Sequence, residues 1–128
     1  MPIGRLHHVI LDCPDPHGLA TFYSRLLGTA ITYADANFVV VAPNNQASGL
    51  AFQRSPDQRP ATWPDPAVPQ QIHLDVMVDD VQAAYAEVLA LGATKLPGND
   101  VFADPAGHPF CLIKRPAWAN PIGPTNTP

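Results

Sequence analysis

The sequence predicts an α+β domain built from two tandem βαβββ modules, and three observations carry that expectation. First, two segments of unlike sequence share one pattern. His8-Val-Ile-Leu-Asp-Cys-Pro-Asp15 and His73-Leu-Asp-Val-Met-Val-Asp-Asp80 each open on histidine and reach an aspartate seven positions on. Second, each then enters a helical pattern ending in Leu-Gly, at Leu27-Gly28 and Leu91-Gly92, 20 and 19 residues after the histidine. Third, each glycine is followed by short apolar runs separated by turn formers. Spacing kept this closely over dissimilar residues is the mark of repeated architecture.

Local chemistry supports each element in turn. Leu6 to Cys13 and Ile72 to Val78 are aliphatic and β-branched, as strands are. Asp15, and Asp79 or Asp80, are suited to cap the helices that follow, with Pro16 placed in a first turn. Leu19, Phe22, Tyr23, Leu26 and Leu27 form one apolar helical face; Val81, Ala84, Tyr85, Val88 and Leu91 form another. Gly28 and Gly92 can take the left-handed conformation that ends a helix. Strands are then expected at Phe38 to Ala42 and Leu50 to Arg54 in the first half. Their counterparts are Val101 to Ala103 and Phe110 to Lys114, with weaker strands near Thr29 to Tyr33 and Thr94 to Leu96. The modules run over about 5–55 and 71–116.

The chain has 128 residues, enough for one domain that needs no disulfide or structural metal to fold. Of its sixteen prolines, five fall between Pro56 and Pro69 and four between Pro116 and Pro128. Proline removes a backbone donor, so 56–70 reads as a bridge and 117–128 as a flexible tail. Net charge is −4 and the seven basic residues are scattered, which argues against nucleic acid or an anionic membrane surface as partner. No apolar run is long enough to span a bilayer, and the N-terminus lacks the pattern of a secretory signal. Cys13 and Cys111 then read as reduced thiols of a cytoplasmic protein. No nucleophile–base pair, phosphate-cradling loop or dinucleotide fingerprint is present.

Leu6-His-His-Val-Ile-Leu-Asp12, Asp15-Pro16, Phe22-Tyr23 and Leu27-Gly28 resemble the opening of the vicinal oxygen chelate superfamily, which includes glyoxalase I, bleomycin-resistance proteins and extradiol dioxygenases. The segment His73 to Asp80, Leu91-Gly-Ala93 and Asp104-Pro-Ala-Gly-His-Pro-Phe-Cys-Leu112 look like its second half. The resemblance spans about 5–115 and points to the glyoxalase-like domain subgroup. It implies the glyoxalase/bleomycin resistance/dihydroxybiphenyl dioxygenase fold, with curved sheets around a central cleft. It further implies, in metal-using members, a divalent ion held by four inward side chains that grips vicinal oxygens of a substrate. Paired modules of this superfamily often make dimers, so a homodimer is expected.

Carried over position by position, the resemblance places ligands at His8, Gln53, His73 and Cys111. That set has no carboxylate. An amide is a poor ligand for a divalent ion, and a thiol must first lose its proton. The expectation is therefore that no metal is held tightly. If one is held, it is zinc, iron, nickel or manganese, with His8, His73 and Cys111 forming the set chemistry allows. Asp75 shares a strand face with His73, as Asp12 does with His8. Either carboxylate could complete a shell, orient its neighbouring imidazole, or simply bond backbone and solvent.

The remaining polar residues carry blander expectations. His7 should point away from His8, His17 should be solvated and His108 should sit at a turn tip. Cys13 should be a small buried apolar group. Trp63 on the bridge could cap the pocket, sit at a subunit interface, or merely pack. Two functions follow. In the first, preferred for want of carboxylates, a small organic molecule binds among His8, Gln53, Trp63, His73, Asp75 and Cys111 at a degenerate metal site, as in bleomycin-resistance relatives. In the alternative, the chain is a divalent-metal-dependent lyase, isomerase or dioxygenase acting on vicinal oxygens. The residues leave open whether it is an enzyme.

Overall fold

A computed structural model describes residues 1–123; residues 124–128, the end of the expected tail, lie outside them. The element order is β1 (His8–Cys13), α1 (Pro16–Leu27), β2 (Ala30–Ala34), β3 (Phe38–Ala42), β4 (Gly49–Arg54), β5 (Leu74–Val78), α2 (Val81–Leu91), β6 (Thr94–Lys95), β7 (Val101–Ala103) and β8 (Pro109–Lys114). Two four-stranded sheets result, ordered β1-β4-β3-β2 and β5-β8-β7-β6. The α+β architecture of two βαβββ modules is therefore present. The chain divides into two compact units, Met1–Gln58 and the residues from Arg59 onward.

In the first unit, Asp15 caps α1 by accepting from the Gly18 amide at 3.1 Å, and Gly28 ends it at φ 67°. A side chain at Gly28 would strain that left-handed turn. The helix buries Leu19, Ala20, Phe22 and Tyr23 against the sheet, with Tyr23 stacked on Phe52 at 5.5 Å. Leu27, expected on that face, is exposed instead, because the helix ends there and turns away. The first strand opens at His8 rather than Leu6, and Leu6 is exposed.

The second unit repeats the plan. Asp80 caps α2 through the Ala83 amide at 3.1 Å, while Asp79 is taken by Arg115, whose Nε donates to it at 2.6 Å. Phe102 and Phe110 stack at 5.8 Å, and Tyr85 meets Phe102 edge-on at 4.9 Å. The strand expected from Ile72 starts at Leu74. Gln71 has φ 59° and the Ile72 amide is spent on a tight turn to the Gln70 carbonyl, so pairing begins only afterwards.

The proline-rich bridge is organised by its own hydrogen bonds. The Thr62 amide donates to the Val68 carbonyl at 2.9 Å, the Val68 amide donates to Thr62 Oγ1 at 2.9 Å, and that hydroxyl donates to the Asp65 carbonyl at 2.8 Å. Where the tail was expected to begin, Arg115 Nη1 donates to the Ala119 carbonyl at 2.8 Å and closes a turn. No helix of the described residues is long and apolar enough to cross a membrane.

Candidate functional site

The second unit gathers three donors of the kind the sequence singles out. Parallel pairing of β5 with β8 sets Asp75 directly opposite Cys111, so both side chains leave the same face. His73 stands two residues before Asp75 and shares that face. Its Nε2 lies 3.5 Å from Asp75 Oδ1, and one donor atom from each of His73, Asp75 and Cys111 lies within 4.8 Å of the others. The histidine and aspartate are exposed and the cysteine half-buried. Burial pushes the Cys111 thiol above its ordinary pKa, and the carboxylates of Asp75 and Asp100 push it further the same way. Asp75, itself exposed to water, lies close to both an imidazole and a thiol.

Further along the same face, Met77 pairs with Ile113, and both stay open at 39% and 36% exposure. The opposite face buries Leu112, Phe110 and Phe102. One side of the β5–β8 pair therefore packs as core, while the other offers three polar donors next to two accessible apolar side chains.

The first unit treats its counterparts differently. Register places His8 opposite Gly49, Ile10 opposite Ala51 and Asp12 opposite Gln53. Gln53 is thus four residues along the ladder from the histidine, roughly 13 Å at ~3.3 Å per residue. Register thus sets Gln53 apart from His8; Gln53, exposed, neighbours Asp12. Around them, Val40, Ala42 and Ala51 make a small buried apolar cluster with Phe38 against it.

His8 is also committed. Its Nδ1 accepts the Gly49 amide at 3.0 Å, so the neutral ring carries its proton on Nε2 and has no free lone pair for a metal. Loss of water contact, then the neighbouring charge of His7, lower its pKa below the usual 6.5. The sign follows from proton uptake: the unfolded chain binds the proton more readily, so the contribution to stability is complete above pH 6.5 and declines as pH falls below it. The His8 ring is expected to titrate in an NMR experiment with a midpoint below 6.5; a midpoint above it would mean that the ring is not shielded from water beside His7 as the structure has it. A Cβ at Gly49 would stand 2.2 Å from the Val41 carbonyl oxygen. Gly49→Ala is expected to cost about 1–3 kcal/mol, read by thermal unfolding.

The four-ligand shell implied by the resemblance therefore does not fit this chain. His8 offers no lone pair, Gln53 is displaced along its strand, and the first unit supplies no carboxylate beside His8. The three donors of the second unit do suit a divalent ion, with Asp75 providing the carboxylate.

Two other expectations, for His7 and His108, are corrected by packing. His7 does not turn away from His8; it precedes the strand, and the two rings lie 3.9 Å apart. His108 is no turn tip. Its Nδ1 donates to the buried Asp104 carboxylate, 2.8 Å from Oδ2, and its ring is largely covered. That pair was missed because a buried aspartate bonding within its own hairpin leaves only an i,i+4 spacing in the sequence. Trp63 Nε1 donates to the Pro97 carbonyl at 2.9 Å, so its ring is pinned to the loop before β7. His17 is exposed, with Nε2 3.1 Å from the Asp35 carbonyl oxygen. Cys13 is buried, as expected.

Comparison with known proteins places this geometry. The sequence profile of the glyoxalase-like domain family matches residues 8–113. No curated protein matches the sequence. Among solved structures, a glyoxalase-related enzyme from Fulvimarina pelagi is 19% identical with a TM-score of 0.64, covering 95% of this chain and 94% of its own. A glyoxalase/bleomycin resistance protein from Albidiferax ferrireducens is 17% identical with a TM-score of 0.61, covering 87% and 98%. A bleomycin-binding protein complexed with bleomycin is 21% identical with a TM-score of 0.55, covering 88% and 99%. At such identities these likenesses establish the fold, while the family match covers most of the chain. The chain belongs to the glyoxalase-like domain family.

Proposed function

We propose that the chain binds a small organic molecule on the face carrying His73, Asp75 and Cys111. The observation that supports this reading is the placement of these convergent polar groups beside the exposed pair Met77 and Ile113. Small-molecule sites have this make-up: apolar surface supplies affinity, and a few placed polar atoms fix orientation. The bleomycin-binding protein of the same fold offers a precedent for holding an organic ligand on this scaffold. A library of aromatic and polyoxygenated compounds screened by thermal shift tests the reading, since a ligand of the native state raises the unfolding midpoint. A shift that disappears in Met77→Ser and His73→Ala chains supports the proposal. A shift untouched by both substitutions would place the site elsewhere.

A second reading, a divalent-metal-dependent lyase, isomerase or dioxygenase acting on vicinal oxygens, is favoured by Asp75 alone, because it restores a carboxylate to the donor set. Such an ion, when bound, would polarise a substrate oxygen. Turnover of vicinal-oxygen substrates that is abolished by chelator and restored by added metal supports this reading over the first.

A further inference from the structure

We propose that the second unit holds a borderline-soft divalent cation, zinc or cobalt in kind, with His73, Asp75 and Cys111 as its protein ligands and without help from His8. The inference rests on the reading that this face is the binding face, and it replaces the shell the family resemblance implies with a set drawn from a single sheet pair.

Backbone register sets the arrangement. The β5–β8 ladder fixes Asp75 beside Cys111, and strand alternation brings His73 to the same side. His73 Nε2 and Asp75 Oδ1, 3.5 Å apart, already span the edge expected of a tetrahedral ion, ~3.4 Å for ligands at ~2.1 Å. Cys111 Sγ belongs to the same group within 4.8 Å, so rotamer adjustment of about 1 Å closes the shell. One nitrogen, one oxygen and one sulfur suit zinc or cobalt; magnesium and calcium prefer oxygen alone. Three protein donors leave a fourth position open to water or to an oxygen of an incoming ligand. The exposure of His73 and Asp75 gives an ion a route in.

The first unit argues for exclusion as well. His8 Nδ1 already accepts a backbone N–H, and its other nitrogen bears the proton. Recruiting it would cost that hydrogen bond, and the Gly49 amide would lose its acceptor.

The test uses the full chain, stripped with chelator and titrated with cobalt(II), then with zinc(II) by calorimetry. One equivalent is expected to bind, and cobalt is expected to give the near-ultraviolet charge-transfer band of a thiolate ligand. His73→Ala, Asp75→Asn and Cys111→Ser should each weaken the Kd at least about tenfold, and Cys111→Ser should abolish the band. Circular dichroism confirms that each variant is folded, and His8→Ala and Gln53→Ala should leave the Kd within about twofold. Absence of the thiolate band, or weakening by His8→Ala equal to that of His73→Ala, would overturn the proposal. An organic compound that stabilises the stripped chain while cobalt and zinc are not taken up would also overturn it, leaving the small-molecule reading standing.

Discussion

Asp104→Ala is expected to lower stability by about 3 kcal/mol and the unfolding midpoint by about 10 °C. The carboxylate is buried in the hairpin before β8, where it accepts from the Ala106 amide at 2.9 Å, the His108 amide at 3.0 Å and His108 Nδ1 at 2.8 Å. Alanine would remove the shared acceptor of all three bonds, and hydrogen bonds to a charged group are worth more than neutral ones. The hairpin has no slack to compensate: a Cβ at Gly107 would meet Pro60 at 2.4 Å, so the bridge presses on its tip. Asp104→Asn, which keeps one acceptor oxygen, should lose about half as much. Chemical denaturation of the three chains checks the order. Equal midpoints for Asp104→Ala and the parent would show that the carboxylate is not a keystone of the hairpin.

Phe102→Ala should cost about 3–5 kcal/mol, the usual range for a fully buried aromatic. Phe102 stacks on Phe110 across the β7–β8 ladder, takes the edge of Tyr85 from α2, and has Lys95 Nζ 5.6 Å from its ring centre. Removing it opens a cavity beneath the strand that presents Cys111, since Val101 pairs with Cys111 one step along the same ladder. Phe102→Leu keeps most of the volume and should cost about 1 kcal/mol. Denaturant unfolding reads both. A loss below about 1 kcal/mol for the alanine variant would mean the core is not centred on this ring.

What the sequence made legible was mostly local. The caps at Asp15 and Gly28 and the Leu-Gly helix endings depend on residues a few positions apart, and they appear where spacing placed them. Choosing between Asp79 and Asp80 needed Arg115, 36 residues away, which claims the first and leaves the second to the helix. The site was harder for the same reason. That His73 and Cys111 belong together followed from resemblance, but the seat of Asp75 opposite Cys111 depends on a register across a parallel pair, which no local pattern encodes. The place of Gln53 is a like case: the β1–β4 register aligns it with Asp12 rather than His8. The engagement of His8 by the Gly49 amide joins residues 41 positions apart and changes the chemistry of the ring, not its location. The resemblance pointed to His8 as a ligand; the hydrogen bond from the Gly49 amide engages that ring instead.

Diffraction at the zinc absorption edge, from crystals grown with zinc, addresses the central idea most directly. A single anomalous peak is predicted at ~2.0–2.3 Å from His73 Nε2, an Asp75 carboxylate oxygen and Cys111 Sγ. A peak bonded to a ring nitrogen of His8, or bare density at those three side chains in crystals that carry zinc elsewhere, would contradict it.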